Sequence, residues 1–264
     1  MAHVFITGSS TGLGLAAAQL LASEGHSVVI HGRDKTRTQQ AHRQVPAAVG
    51  TVTGDLARAD GVRSVADQAN ELGPFDAVIH NAGLGFREPT RNTTTDGHAR
   101  VLAVNVLAPY LLTAWMTPAK RLVYLSSGLH RSGDDSLHDI DWNSRPWNGY
   151  QAYNDSKLFD ATLAFAIARL RPETLSNALE PGWVATRMGG AGAPDDLALA
   201  HVTQSWLAVS DDPQALVSGQ YFFHQKLATA HPSASNHSFQ DKLLDHLELL
   251  TGVRIPTVSA TVSP

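Results

Sequence analysis

The sequence predicts an α/β fold in three αβα layers, with buried strands between two layers of helices. Three observations carry this. Strands read as short continuous apolar runs, such as His3-Val4-Phe5-Ile6-Thr7 and Ser27-Val28-Val29-Ile30-His31, the pattern of strands covered on both faces. Segments of helical spacing separate them, so strand and helix alternate along the chain. The 264 residues are long for one domain and short for two, a size at which α/β chains form one core, so residues 1–264 are expected to be a single domain. Hydrophobic residues at 43% and charged ones at 17% supply enough apolar surface to offset chain entropy, except in the last few residues.

The first strand, His3 to Thr7, stops at Gly8. Gly12-Leu13-Gly14-Leu15-Ala16-Ala17-Ala18-Gln19-Leu20-Leu21 is a run of helix formers ending near Gly25, and Ser27 to His31 is the second strand. Between strand and helix lies Thr7-Gly8-Ser9-Ser10-Thr11-Gly12-Leu13-Gly14. Glycines allow a tight turn and close backbone approach, and the helix N-terminus offers unpaired N–H groups and a positive dipole end to a pyrophosphate. Alone, such glycines also mark plain turns; between strand, helix and strand they read as a dinucleotide-binding turn. The second strand exits as His31-Gly32-Arg33-Asp34-Lys35. An acidic residue there would accept from a ribose 2′-hydroxyl, and a basic one would hold a 2′-phosphate. Arg33 sits where a 2′-phosphate would be met, with Ser9 and Ser10 as further donors, so NADP(H) is favoured and NAD(H) is the alternative. The competing reading makes Arg33 and Asp34 solvated loop charges.

Ala47 to Thr53 is a weak strand leading to Gly54-Asp55-Leu56, Gly61 to Leu72 a helix, and Phe75 to His80 a strand ending in Asn81-Ala82-Gly83. Ligands in such folds bind beyond the carboxyl ends of the strands, which puts Asp55 and Asn81 on the rim of the glycine turn. A helical pattern from about Asp96 to Trp115 contains Asn105, and Pro109 should bend or shorten it. Arg121 to Leu125 is a further strand, ending in Ser126-Ser127-Gly128. The alternation then breaks at about 128–149, read as an insertion carrying function, oligomer control or both. Its His130, Asp134, Asp135, His138, Asp139 and Asp141 match no metal-ligand spacing and are expected to be solvated loop charges, with no metal. A helix through Ile167 follows, then a sixth strand, Leu175 to Leu179, running into Glu180-Pro181-Gly182-Trp183-Val184-Ala185-Thr186. Gly189-Gly190-Ala191-Gly192-Ala193-Pro194 reads as the hinge of a lid at about 187–210, with Asp195 or Asp196 capping a helix through Val209. Gly219 to Phe223 is the last strand and Phe239 to Leu250 the terminal helix.

The chemistry concentrates in Tyr150-Gln151-Ala152-Tyr153-Asn154-Asp155-Ser156-Lys157. On a helix, Tyr153 and Lys157 share one face a turn apart. An ammonium near a phenol stabilises the phenolate and lowers a tyrosine pKa of ~10 by roughly 1–3 units, so the ring can trade protons with a carbonyl or alcohol oxygen near neutral pH. In isolation the same spacing is usually a half-buried ring beside a solvated amine. Other functions are poorly supported. A net charge of −4 with no Lys/Arg run beyond two leaves no footprint for nucleic acid or an anionic membrane, and the lack of cysteine excludes disulfides and thiolate chemistry. With no targeting segment or long apolar stretch evident, a cytoplasmic protein is expected.

In order and spacing, the glycine turn, Asp55-Leu56, Asn81-Ala82-Gly83, Asn105, Ser126-Ser127, Tyr153-Asn154-Asp155-Ser156-Lys157 and Pro181-Gly182-Trp183-Val184-Ala185-Thr186 resemble the short-chain dehydrogenase/reductase superfamily over nearly the whole chain. Asp96-Gly97, the insertion and Ser156-Lys157-Leu158 look most like its retinol-dehydrogenase and carbonyl-reductase branch, without the membrane anchors of some members. The resemblance implies a Rossmann-type fold with a mostly or fully parallel seven-stranded sheet of order 3-2-1-4-5-6-7. It implies Ser127, Tyr153 and Lys157 as the catalytic centre, with Asn105 holding a water of a proton relay and Ser127 preferred to Ser126. Gly8, Gly12 and Gly14, with Ser10, Thr11 and Leu13, would cradle the pyrophosphate. Asp55 with Leu56 would meet the adenine, and Asn81 with Ala82 and Gly83 the ribose. Pro181, Gly182, Val184 and Thr186 would lie at the nicotinamide, Thr186 at its carboxamide, and Tyr153 and Lys157 would touch the cofactor as well. His80 replaces the second Asn of many members.

The implied function is an NADPH-dependent carbonyl reductase or alcohol dehydrogenase acting on a small-molecule ketone or aldehyde; the alternative is a catalytically silent dinucleotide-binding sensor or scaffold. Phe86, Trp183, Met188, Trp206 and the insertion's Trp142 and Trp147 are candidates, beside Ser127 and Tyr153, for an apolar pocket that takes an aromatic or bulky carbonyl. Relatives pair through the helices of Asn105 and Tyr153, and the insertion precedes the latter, so monomer and homodimer are both open.

Overall fold

The computed structural model describes residues 1–257; the residues at the C-terminus set apart by composition lie outside them. Its sheet contains β1 (His3–Ile6), β2 (Ser27–Gly32), β3 (Gly50–Thr53), β4 (Ala77–His80), β5 (Arg121–Leu125), β6 (Leu175–Glu180), β7 (Tyr221–Phe223) and β8 (Lys226–Leu227). The order is 3-2-1-4-5-6-7-8, with β1 to β7 parallel and β8 antiparallel to β7. The sequence order of seven strands stands, and β8 is an addition. Its hairpin turns through His224 and Gln225, both at positive φ (47° and 61°), without the Asn-Gly signature that announces such a turn.

Side chains alternate across the sheet. Phe5 enters one core with Val29, Val52 and Val78, while Val4 and Ile6 enter the other with Val28, Ile30 and Ile79. The first core is closed by α3 (Ala59–Leu72), by the continuous α4 (Arg100–Leu102), π-turn (Ala103–Leu107) and α5 (Ala108–Trp115), and by α6 (Gly149–Leu170) and α8 (His237–Thr251). The second is closed by α1 (Gly12–Ser23), α2 (Lys35–Gln44) and α7 (Val202–Val209).

Several elements differ from the sequence expectation. The helix containing Asn105 starts at Arg100, because Asp96 serves elsewhere: its Oδ2 accepts the Ala59 N–H at 2.7 Å, capping α3 from another loop. Pro109 lies in the first turn of α5, immediately after a π-turn at Ala103–Leu107. With no N–H at Pro109, the α-type bond to the Asn105 carbonyl cannot form, and the backbone widens there. Neither Asp195 nor Asp196 caps α7, which begins at Val202 after His201; Asp195 instead accepts from the Trp183 N–H and Asp196 from the Ala198 N–H.

Helix α6 is buried on every side from Ala152 to Ile167. The insertion lies against it so closely that a Cβ on Gly133 would stand 2.6 Å from Leu158 Cβ, and α8 covers its far end, where Arg169 Nε donates to Gln240 Oε1 at 2.9 Å. A helix apolar on one stripe and polar on the other would stand at the surface; this one is enclosed by the chain's own segments.

Candidate active site

The glycine turn is fixed from both neighbouring strands. Thr7 Oγ1 accepts the N–H groups of Asn81 and Ala82, each at 3.0 Å, and Asn81 Nδ2 donates to the carbonyls of Thr7 (2.9 Å) and Gly8 (3.3 Å). From β2, His31 Nδ1 accepts the Gly8 N–H at 2.9 Å while its Nε2 lies 2.9 Å from the Gly54 carbonyl, an arrangement that requires the proton on Nε2. Burial lowers the His31 pKa to about 4, so the ring is neutral. His31 carries no motif signal; in the sequence it is only the last residue of an apolar strand. Ser9 is a correction: it is fully buried, its Oγ donating to Ile6 O and accepting the His31 N–H at 2.8 Å each, so it has no hydroxyl to offer a 2′-phosphate. Ser10 is half-buried beside it.

The turn fits a pyrophosphate. Thr11 precedes α1 in extended geometry without a side-chain cap, and no acidic residue occupies the first helical turn, so its N–H groups face outward unpaired. Gly14 tolerates no side chain, since a Cβ would lie 2.3 Å from Asn81 Nδ2 and 2.8 Å from Gly8 O. Gly12, at φ 59°, has no atom within 4 Å of where a Cβ would be. One glycine is needed for packing and the other for open space.

Arg33 is exposed at the end of β2. Asp34 caps α2, accepting the Arg37 N–H at 2.8 Å, and that bond, with side-chain pairing to Arg33 and Arg37, holds its carboxyl below the usual range. The Asp34 carboxylate is therefore engaged by its own helix. Asp55 is exposed with Oδ1 accepting from Ala57 N, and Leu56 beside it is buried.

On the other side of the rim, Asn105 locks the Asn81-to-Leu84 loop to α6. Its Oδ1 accepts the Leu84 N–H at 2.7 Å, and its Nδ2 donates to Leu84 O (3.0 Å) and Ser156 Oγ (2.9 Å). These bonds occupy both ends of the side-chain amide. Ser126 is buried and donates to the Lys157 carbonyl at 2.7 Å. Ser127 Oγ accepts the Leu129 N–H at 3.3 Å, an arrangement that leaves its hydroxyl proton to donate. Burial, against the bond to the Ser127 carbonyl and with Arg131 and His231 nearby, lowers the His130 pKa to about 4; its Nδ1 lies 2.7 Å from Ser127 O and its Nε2 accepts the His231 N–H.

Tyr153 is 6% exposed, with Met188 Sδ 4.0 Å from its hydroxyl and Phe86 edge-on at 5.9 Å; Tyr150 meets the far edge of Phe86. Lys157 Nζ lies 5.9 Å from the Tyr153 ring centroid, and a Cβ on Gly83 would come within 3.5 Å of it. Two of its protons are engaged, by Leu125 O and by Asp160 Oδ2, both at 2.7 Å. Burial pushes the Asp160 carboxyl up to about 6 against the opposing pull of Lys157.

The candidate pocket residues divide. Phe86, Met188, Trp142 and Trp147 gather around Tyr153. Trp183 is exposed, its indole N–H donating to Gly189 O at 3.0 Å. Trp206 is a correction: it stacks edge-on against Phe222 and packs on the α1-side core, apart from this group. In the lower rim, Gly182 has φ 88° and approaches Asp195, Val184 bridges to Asp195, and Thr186 Oγ1 accepts the Gly189 N–H at 3.1 Å. Pro181 is half-buried beside them.

The insertion's charges are also not the solvated set expected. Asp141 is buried, accepting from Ala99 N (2.6 Å), His98 Nδ1 (2.7 Å) and Arg91 (3.3 Å), and its hydrogen bond raises the His98 pKa. Arg145 joins Asp134 and Asp155 while lying 3.5 Å over the Trp142 ring. His80 is buried against Tyr124, and burial takes its pKa to about 3. Among the described residues, no group of three or more His, Asp or Glu is placed to hold a metal ion, and no helix is long and apolar enough to cross a membrane.

A parallel sheet of this order with an open helix N-terminus at its rim, and a buried tyrosine and lysine across from it, defines a dinucleotide-binding oxidoreductase. The comparisons identify which. The model of the short-chain dehydrogenase family matches residues 2–128. An uncharacterized oxidoreductase of Emericella nidulans is 40% identical over 97% of this chain and 99% of its own, and the short-chain dehydrogenase chyC of Penicillium rubens 36% over 97% and 100%. An uncharacterized Mycobacterium paratuberculosis protein of known structure superposes with a TM-score of 0.83 at 25% identity, covering 97% of this chain and 95% of that one. The chain belongs to the short-chain dehydrogenase/reductase family and is an NAD(P)-dependent oxidoreductase.

Proposed function

We propose that the protein is an NADPH-dependent carbonyl reductase, or in reverse an alcohol dehydrogenase, for an aromatic or bulky ketone or aldehyde. The observation that carries this is a pair of hydroxyls with protons to give, Ser127 and Tyr153, beside the buried ammonium of Lys157: Tyr153 has only a thioether at 4.0 Å. Gly8 to Gly14, with Ser10, Thr11 and Leu13, would hold the dinucleotide pyrophosphate; Asp55 and Leu56 the adenine; Asn81 Oδ1, Ala82 and Gly83 the ribose; and Pro181, Gly182, Val184 and Thr186 the nicotinamide side. The reduced nicotinamide supplies a hydride. Ser127 donates a hydrogen bond to the carbonyl oxygen and stabilises the charge developing there. Tyr153 gives its proton to that oxygen as the C=O π pair becomes a lone pair, and Lys157 stabilises the phenolate left behind. Water held at Asn105 returns the proton.

The 2′-phosphate preference rests on Arg33, with Asp34 tied up as a cap. Phe86 and Met188, with Trp183 at the edge, form the substrate wall; residues 187–210 act as its lid and 128–149 as an insertion of one domain. The tight cover of α6 by the chain itself supports a monomer over a homodimer, and we place the protein in the cytoplasm. The narrower tie to retinol dehydrogenases rests on Asp96-Gly97, the insertion and Ser156-Lys157-Leu158, while the relatives at 36–40% identity are fungal oxidoreductases.

The test is Tyr153→Phe, followed by loss of reduced-nicotinamide absorbance against a panel of carbonyls. Turnover should fall ~100-fold or more with NADPH affinity nearly intact. Unchanged turnover overturns the mechanism, and a wild-type protein that binds NADPH but reduces nothing in the panel favours the silent sensor.

A further inference from the structure

The ammonium assigned to stabilise the Tyr153 phenolate has a partner that the motif does not contain. One turn beyond Lys157 on α6, Asp160 puts Oδ2 2.7 Å from Nζ, and both side chains are 5% exposed. A pair at this spacing on a helix surface would be a minor stabiliser, screened by water. Here neither charge reaches solvent, so the carboxylate offsets the ammonium at short range wherever the ammonium acts.

We propose that Asp160 is a positioning residue that sets the working charge of Lys157: it fixes Nζ between Leu125 O and its own carboxylate, leaves one N–H for the cofactor ribose, and keeps Tyr153 a proton donor at neutral pH. This rests on the reading of Tyr153 and Lys157 given above. An uncompensated ammonium would favour phenolate more strongly and strip the acid of its proton at lower pH. With Asp160 ionised, the net charge beside the phenol is near zero, and the phenol keeps its proton over a wider alkaline range. When Asp160 gains a proton, the ammonium stands alone and stabilises the developing phenolate more. Its carboxyl is held at about 6 by burial, so this second state is reached just below neutrality.

The other ionisable groups packed around the pair do not compete in that range. Tyr124 on β5 feels Asp160 and Arg171, and Tyr221 on β7 feels Tyr153, Glu180 and Arg131; burial pushes both phenols far above neutrality. His80, stacked on Tyr124, is kept neutral by burial. Asn105 and Ser156, on the remaining side, carry no charge.

The experiment is the pH profile of reductive kcat/KM in the whole enzyme with NADPH, for wild type, Asp160→Asn and Asp160→Glu. Asp160→Asn should move the alkaline limb toward acid by about one unit, with Asp160→Glu restoring part of the shift. Wild type should also show the rate rising as pH falls through about 6, and Asp160→Asn should lack that rise. A folded Asp160→Asn with an unmoved limb, whatever its loss of thermal stability, overturns the proposal. Should that variant fail to fold, wild type still decides: a flat profile between pH 5 and 7, about a unit either side of 6, overturns it, and the rise supports it. Tyr153→Phe separates the two readings, because a dead Tyr153→Phe with an unmoved Asp160→Asn limb refutes Asp160 alone.

Discussion

The two loops facing each other across the strand rim are built on opposite principles. The glycine turn at 7–14 is anchored from outside itself: His31 on β2 and Asn81 after β4 hold its backbone, and Thr7 answers with its hydroxyl. The stretch at 181–200 is held mainly by bonds within itself, Trp183 to Asp195 and Gly189 and Thr186 to Gly189, with Met188 and Arg87 reaching between it and the Phe86 side. A loop fixed by the sheet is preorganised for a ligand common to many enzymes. A loop fixed to itself can shift as a unit over a particular substrate.

That contrast breaks most visibly in the turn. Gly14→Val would drive a side chain into Asn81 and the Gly8 carbonyl, which cannot yield without moving β4's exit or the turn itself. We expect a stability loss of roughly 1–3 kcal/mol and no measurable NADPH binding, read by thermal melts and nicotinamide fluorescence. Gly12→Ala is the control: it meets no atom, so its strain from positive φ should cost about 1 kcal/mol and its main effect should be on cofactor affinity. Equal stability losses in the two would show that the turn is not braced by Asn81.

The next effect is acid sensitivity carried by the brace. His31 has its folded pKa lowered from 6.5 to about 4. The unfolded chain therefore binds the proton first, so the stabilisation from a neutral His31 is complete above pH 6.5 and is lost as pH falls to about 4. Over that window it amounts to a few kcal/mol at most. Denaturant midpoints measured from pH 7 down to 4 should fall, and His31→Asn should flatten the slope while lowering stability at pH 7 by about 1–3 kcal/mol, since the Gly8 N–H loses its partner. An unchanged slope in the variant would place the acid sensitivity elsewhere.

The same contrast explains what could be read from the sequence. Strands β1, β2, β4, β5 and β6 were legible because burial on both faces leaves apolar runs, and glycines at 8, 12 and 14 because backbone geometry permits little else. Helix α2 was not, since it buries only Thr38 and Ala41 and is polar elsewhere, and β8 pairs through a turn with no turn residues. Among site residues, Tyr153 and Lys157 stand out by type and spacing, and Ser127 and Asn105 only through the family resemblance, but not what their atoms touch. His31 to Gly8 and Asp141 to Ala99 are contacts across 23 and 42 residues, beyond any local pattern. Asp160 was three residues from Lys157 and still silent, because only burial turns an ordinary helical pair into a tuned one. Trp206 misled for the converse reason: an aromatic near a lid is a pocket candidate until its helix face is known, and this face turns to Phe222.

The smallest effect belongs to the self-contained loop, and it is the one that sharpens the comparison. Met188 is 38% exposed, with Sδ 4.0 Å from the Tyr153 hydroxyl and its Cγ 2.6 Å from where a Cβ on Gly85 would stand, so it covers the acid without supporting the core. Met188→Ala removes that cover. Its stability cost should stay within about 0.5 kcal/mol, because the loop's own bonds at Asp195 and Thr186 remain. Truncating an apolar contact is worth about 1–3 kcal/mol to a bulky substrate, so KM for large ketones should rise about tenfold while small aldehydes change little and kcat stays near wild type. If kcat fell for every carbonyl instead, Met188 would be orienting Tyr153, and the loop would be as much a part of the preorganised site as the glycine turn.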